Sequence, residues 1–215
     1  MVGYGAEADH FVLEITYTYG KTHYDHGNDV ISVDIDIYCS EVWKKIQKKA
    51  GTPEGVDEAV VDFQGYRLVC TRRPTPSINK EKAVITGITL RSSDLERSKK
   101  FWAGRLGLLA PSPHMHMSEF RIEGSPGAVR FHEDDGIRVK HEEAFGRIAL
   151  SCPESSLKGI EEDMKRTDNL HTELKSLETP GKTTVQVVIL KVGEELIILA
   201  IFTPLLISVL LATII

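Results

Sequence analysis

The chain has 215 residues, 41% hydrophobic and 27% charged, with a net charge of −5 and a pI near 5.9. That length allows one domain or two small ones with a real core. The acidic balance argues against a nucleic-acid partner, which needs a surplus of Lys and Arg on one face. Cys39, Cys70 and Cys152 are an odd set without CxxC spacing, so neither a disulfide framework nor a zinc knuckle is expected.

Taken in chain order, MVGYG and FVLEITYTY read as two strands. In the second, Phe11, Leu13, Ile15, Tyr17 and Tyr19 share one side of an alternation, and Glu14 interrupts the other. A carboxylate in so apolar a strand faces water, or faces something that wants negative oxygen, such as a metal ion. The stretch KTHYDHGND is a loop carrying His23 and His26. VISVDIDI at 30–37 alternates again, with Ser32, Asp34 and Asp36 opposite Ile31, Val33, Ile35 and Ile37. A helix is predicted over 40–50, with Ser40 as N-cap, Val42, Trp43 and Ile46 inward and Gly51 as its stop. VDEAVVDF and YRLVCTR, hinged at Gln64-Gly65, read as a hairpin, and 75–82 as a linker.

After the linker the order starts again. AVITGITLR is a strand, and SSDLERSKKFWAGRLG a helix with a Ser93/Glu96 capping box and Gly107 as its stop. Strands follow around HMHMSEFRIEG and GAVRFHE. A strand at 145–151, a helix over SSLKGIEEDMKR with Leu157, Ile160 and Met164 inward, and the strand TTVQVVIL complete the walk. Strand–helix–strands thus recurs three times, starting near 30, 84 and 146, after a first unit whose leading strand and helix are missing. Units this small cannot cover their own sheets, so they should pair.

The final twenty residues, 196–215, carry no charge. Their length suits a transmembrane helix. They also suit a closing strand of the last unit, or a divergent C-terminal segment that replaces the usual one.

FVLEITYTYG with HGNDVISVDI, ITLRSSDLERSKKFWAGRLGL, AFGRIALSCP and TPGKTTVQVVIL resemble the glyoxalase I / vicinal-oxygen-chelate superfamily over roughly residues 1–190. The resemblance implies an α+β fold of paired βαβββ modules forming half-open β cups, the first module incomplete. It divides the chain into 1–74, the remnant of the first module plus a second, and 83–195, a second module pair. It also implies a divalent metal held by four side chains from two modules. The ligand positions so implied fall on Glu14, near Ser32, on Gly87, near Phe131 or His132, and on Arg147; only Glu14 is a usable ligand. His114 and His116 could share a strand face, and His23 and His26 could in principle join Glu14. An arginine at 147 favours a carboxylate or phosphate over a cation.

The expectation is therefore a glyoxalase-fold protein without metal-dependent lyase activity, needing no cofactor. It would bind a small anionic ligand at Arg147 and Glu14, or a protein partner. The alternatives are a lactoylglutathione lyase of the glyoxalase I type using zinc or nickel, and a tail-anchored membrane protein using the fold as an interaction module. Homo-oligomerisation and a cytoplasmic or mitochondrial location complete the expectations.

Overall fold

Val33, Ile35 and Ile37 are buried along one strand while Asp34 and Asp36 stay half-buried, as alternation predicts. The computed structural model describes residues 2–5, 10–17, 19–20, 22–23, 25–74, 81–110, 117–121, 127–134, 136–143, 146–178, 184–191, 197–201 and 207–213. Its elements run β1 (Phe11–Tyr17), β2 (Val30–Ile37), α1 (Ser40–Ala50), β3 (Glu58–Phe63), β4 (Tyr66–Arg72), β5 (Ala83–Ser92), α2 (Leu95–Trp102), β6 (Met117–Arg121) and β7 (Ala128–Glu133). Then come β8 (Gly146–Ser151), α3 (Glu154–Arg166), β9 (Leu170–Leu177), β10 (Val185–Lys191), β11 (Ile197–Ile201) and β12 (Ile207–Thr213). The fold is α+β, and the expected threefold recurrence is present: each of β2, β5 and β8 leads into a helix and returns as strands.

The pairing cuts across the expected blocks of 1–74 and 83–195. One six-stranded sheet has the order β3-β4-β2-β5-β7-β6, joining the second unit to the third through antiparallel β2 and β5. The other has the order β1-β12-β8-β11-β10-β9, joining β1 to the unit that starts at β8. A short connection makes sequential units spatial neighbours, which explains why the second and third pair. The expected linker lies outside the described residues at 75–80. Next to it, the carbonyl of Lys82 accepts from the N–H groups of Tyr38 and Cys39 at 3.0 and 3.1 Å.

Those two bonds also move a cap. They hold Cys39 extended as the N-cap of α1, so Ser40 is the first helical residue and not the cap expected. Gly51 does stop that helix, in the left-handed conformation at φ 66°. In α2 the N-cap is Asp94, whose carboxylate accepts from the Arg97 N–H at 2.8 Å. Ser93 instead accepts from the Arg97 guanidinium, and Glu96 pairs with Lys99, so the predicted capping box does not form. The helix ends at Trp102, ahead of Gly107. MVGYG is no full strand: Val2 makes a single antiparallel bridge to Leu13. Tyr19 lies beyond β1 and is 89% exposed. The charged alternation of LHTELKSL, unremarked in the sequence, is edge strand β9.

A shared core joins the sheets. Trp102, Phe120 and Phe131 form an aromatic knot with Trp102–Phe131 centroids 5.3 Å apart, and all three are nearly inaccessible. Each such side chain contributes roughly 1.5–3 kcal/mol of burial. Phe11 and Leu13 of β1, and Ile148, Leu157 and Met164 around α3, belong to the same cluster. Gly127 sits where a β-carbon would come within 2.6 Å of the Phe11 ring, so the two sheets approach closely there.

The spanning-helix expectation for 196–215 is corrected. β11 lies between β10 and β8, and β12 lies between β8 and β1. No helix among the described residues is long and apolar enough to cross a membrane. A strand paired on both edges reads as an uninterrupted apolar run, the pattern a membrane span also gives. Pro204, which cannot donate to a ladder, falls between the two strands.

Candidate functional site

Across β2, β5, β7 and β6, Ser32, Thr89, Arg130 and Glu119 stand in one cross-strand row. The next row on the same side holds Asp34, Gly87, Ala128 and Arg121. Residues directly opposed on neighbouring strands share a face, so the polar groups meet on one floor. Thr86 is bulged out of register there, and its hydroxyl donates to the Asp34 carbonyl at 3.2 Å.

The floor is an ion-pair network. Arg130 donates through Nη1 to Asp34 Oδ2 at 2.8 Å and through Nε to Glu119 Oε2 at 2.6 Å. Thr89 donates to Asp34 Oδ2 and Ser32 to Asp34 Oδ1. Arg121 closes the far side on Glu119 Oε1 at 2.5 Å. The Arg130, Asp34 and Glu119 side chains are each about one-fifth exposed, so their attraction is only partly screened. Burial alone would raise the Glu119 carboxyl, but hydrogen bonds from Arg121 and Arg130 outweigh it and hold it below the usual carboxylate range.

This floor is where the resemblance implies metal ligands, and the residues present do not fit one. Ser32 is spent on Asp34. Gly87 has φ 154°, and a β-carbon there would lie 2.1 Å from the Ala128 carbonyl oxygen and 3.1 Å from Arg130 Nη1. No ligating side chain can be built at that position. Phe131 belongs to the aromatic knot, and His132 pairs with Asp134 at 3.0 Å. A guanidinium occupies the space between the carboxylates.

In the other sheet Glu14 is half-buried on β1 and aligns with Leu210 of β12. Arg147 of β8 aligns with the same Leu210 from the opposite side, and with Ile197 of β11. Lys191 aligns with Ile197 in turn, so the row reads Glu14, Leu210, Arg147, Ile197, Lys191. The neighbouring row, Val12, Ser208, Ala149, Leu199, Ile189, is largely apolar. Ala149 and Val187 are buried in a small cluster separate from the main core.

Glu133 accepts from the Leu95 N–H, Glu142 pairs with Lys140, and Glu143 accepts from the Asp25 N–H. His23 pairs loosely with exposed Asp25, and His26 packs edge-on against Tyr66. Among the described residues no three His, Cys, Asp or Glu side chains gather as a metal site, so the loop histidines do not join Glu14. His114 and His116 lie outside the described residues.

Asp34, Thr89, Glu119 and Arg130 went unremarked as site residues in the sequence. The signal available was the one that singled out Glu14: a charge placed inside an apolar alternation, here in VISVDIDI and AVRFHE.

Residues 94–198 match the family model described as glyoxalase domain-containing protein 4-like, C-terminal domain. The chain is 36% identical over 196 residues to glyoxalase domain-containing protein 4 of Mus musculus, covering 88% of this chain and 63% of that relative's length. It is 33% identical over 198 residues to glyoxalase 1 of Caenorhabditis elegans, covering 91% and 67% respectively. A solved glyoxalase I variant from Zea mays shares the fold with a TM-score of 0.67 at 20% identity, over 92% of this chain and 78% of that one.

Proposed function

The chain belongs to the glyoxalase (vicinal-oxygen-chelate) family, similar within it to glyoxalase domain-containing protein 4, and from that premise we propose that it binds a small organic anion without metal-dependent lyase chemistry. The observation that carries this reading is the misfit at the implied ligand positions. Gly87 has no room for a donor, Ser32 is committed to Asp34, and the implied ligand position in β8 is Arg147. A catalytic metal normally needs three protein ligands, and a cation is repelled by an arginine in its shell.

Arg147, in register with Leu210 on β12, supports an anion as the ligand, with Glu14 on the far side of Leu210 opposing it. A guanidinium offers a fork of donors matched to carboxylate or phosphate. The adjoining apolar row suits a short hydrocarbon portion on the same molecule, and such sites are mostly apolar with few polar anchors.

A lyase is the second reading, favoured by the names of relatives. The chain is 33% identical over 119 residues to a probable chloroplastic lactoylglutathione lyase of Arabidopsis thaliana. One experiment separates the two: elemental analysis of freshly purified protein, with an assay of hemithioacetal isomerisation in added zinc or nickel. We expect neither stoichiometric metal nor turnover. One metal per chain together with turnover establishes the lyase and removes the proposal.

A further inference from the structure

Two carboxylates from different structural units reach the same positive charge. Asp34 comes from the second unit on β2, and Glu119 from the third on β6, and Arg130 lies between them on β7. The groups that hold that charge are carboxylate oxygens, with the hydroxyls of Ser32 and Thr89 behind Asp34 and the Arg121 guanidinium behind Glu119. An all-oxygen set with two carboxylates is the donor chemistry of a hard divalent ion such as manganese, magnesium or calcium. Here the charge is instead covalently carried. Gly87 makes room for it, since a β-carbon at that position would press on Arg130 Nη1.

We propose that Arg130 is the resident cation of this sheet, a built-in substitute for a divalent ion between Asp34 and Glu119, so that the native chain excludes metal there and loss of the guanidinium creates a site for it. A divalent ion entering the native site would have to displace two charge-assisted bonds and then sit beside a guanidinium. Without Arg130, Asp34 loses the guanidinium paired with it while Glu119 keeps Arg121, and an entering cation restores the missing positive charge. The inference rests on the same misfit at Ser32 and Gly87 as the proposed function, but not on Arg147, so Mn²⁺ binding by the Arg130 variant tests it without testing the anion site.

The test is Mn²⁺ titration of the full chain, followed by electron paramagnetic resonance and by thermal melting. Arg130→Met keeps much of the side-chain bulk and removes the charge. It should bind one Mn²⁺ per chain at least about tenfold more tightly than the parent, a difference of about 1.4 kcal/mol. Added Mn²⁺ should raise its melting temperature and leave the parent's unchanged. Arg130→Met combined with Asp34→Asn should lose the gain. The proposal is overturned if folded Arg130→Met binds Mn²⁺ no better than the parent, or if the parent itself binds Mn²⁺ and Asp34→Asn abolishes it. Should Arg130→Met fail to fold, Mn²⁺ in the refolding buffer or the added Asp34→Asn change should restore folding. Restoration by neither rejects the idea.

Discussion

Glu14 and Arg147 are both register partners of Leu210, one on each side of β12. They come from units far apart in sequence and stand two strand spacings apart, roughly 10 Å. That is too far for a direct hydrogen bond between backbone positions, and about the span of a small bound molecule. Anion binding should therefore respond oppositely to the two residues. With 4-phenylbutyrate and inorganic phosphate as probes, Arg147→Met should weaken binding at least about tenfold, about 1.4 kcal/mol. Glu14→Gln should strengthen it modestly by removing a like charge. Isothermal titration of the three proteins decides the matter, and equal affinities across them would count against the site.

β11 and β12 flank β8 on both edges, and β12 is the strand that ties β1 into its sheet. Deleting 196–215 should expose both edges of β8 and release β1, and unpaired edges of this kind aggregate. The shortened chain is expected in inclusion bodies, or without a cooperative melt. A truncated protein that is soluble and melts like the parent would remove both strands from any structural role.

Glu119 gives stability a particular pH dependence. Its carboxyl is held below its ordinary value of 4.5 by Arg121 and Arg130, against the opposing effect of burial. A group whose folded pKa is depressed stabilises above its unfolded pKa, and that contribution disappears as pH falls through the folded value. The stability gap between parent and Glu119→Gln should be full at neutral pH and close as pH falls below about 4.5. Urea denaturation at several pH values from neutral to about 3 checks this. A gap that stays constant through that range contradicts it.

Gly87 is constrained twice, by its backbone conformation and by the Ala128 carbonyl. Gly87→Ala should cost about 1–3 kcal/mol from backbone strain, with more from displacement of β7. For a chain of this size that corresponds to a loss of roughly 2–4 °C in melting temperature per kcal/mol. Gly87→His, which places a larger, ligating side chain at the implied position, should be worse. A Gly87→Ala protein melting within a degree of the parent would mean that the strand relaxes freely.

Much of the fold could be read from alternation and repetition. Val33, Ile35 and Ile37 announced β2, and the recurrence of strand–helix–strands announced the units. Neither reveals which unit pairs with which, because strand partners are set by edges that only the folded chain brings together. The tail misled for a related reason: a short strand with neighbours on both edges has the composition of a membrane span. At the site, Glu14 stood out as a charge within an apolar strand, and Asp34 carried the same signal. Its meaning lay in Arg130, 96 residues away, and no local pattern links the two. The helix starts were misplaced because Ser40 and Ser93 have the right chemistry, whereas the backbone turns at Cys39 and Asp94.

The ladder between β1 and β12 joins segments separated by nearly two hundred residues of chain. During synthesis at roughly 5–20 residues per second, β1 would wait on the order of ten to forty seconds for its neighbour to leave the ribosome. Its sheet is therefore completed late, and a nascent chain holds β1 without its ladder partner for that whole interval. That makes the early segment the natural place for chaperone dependence in this protein.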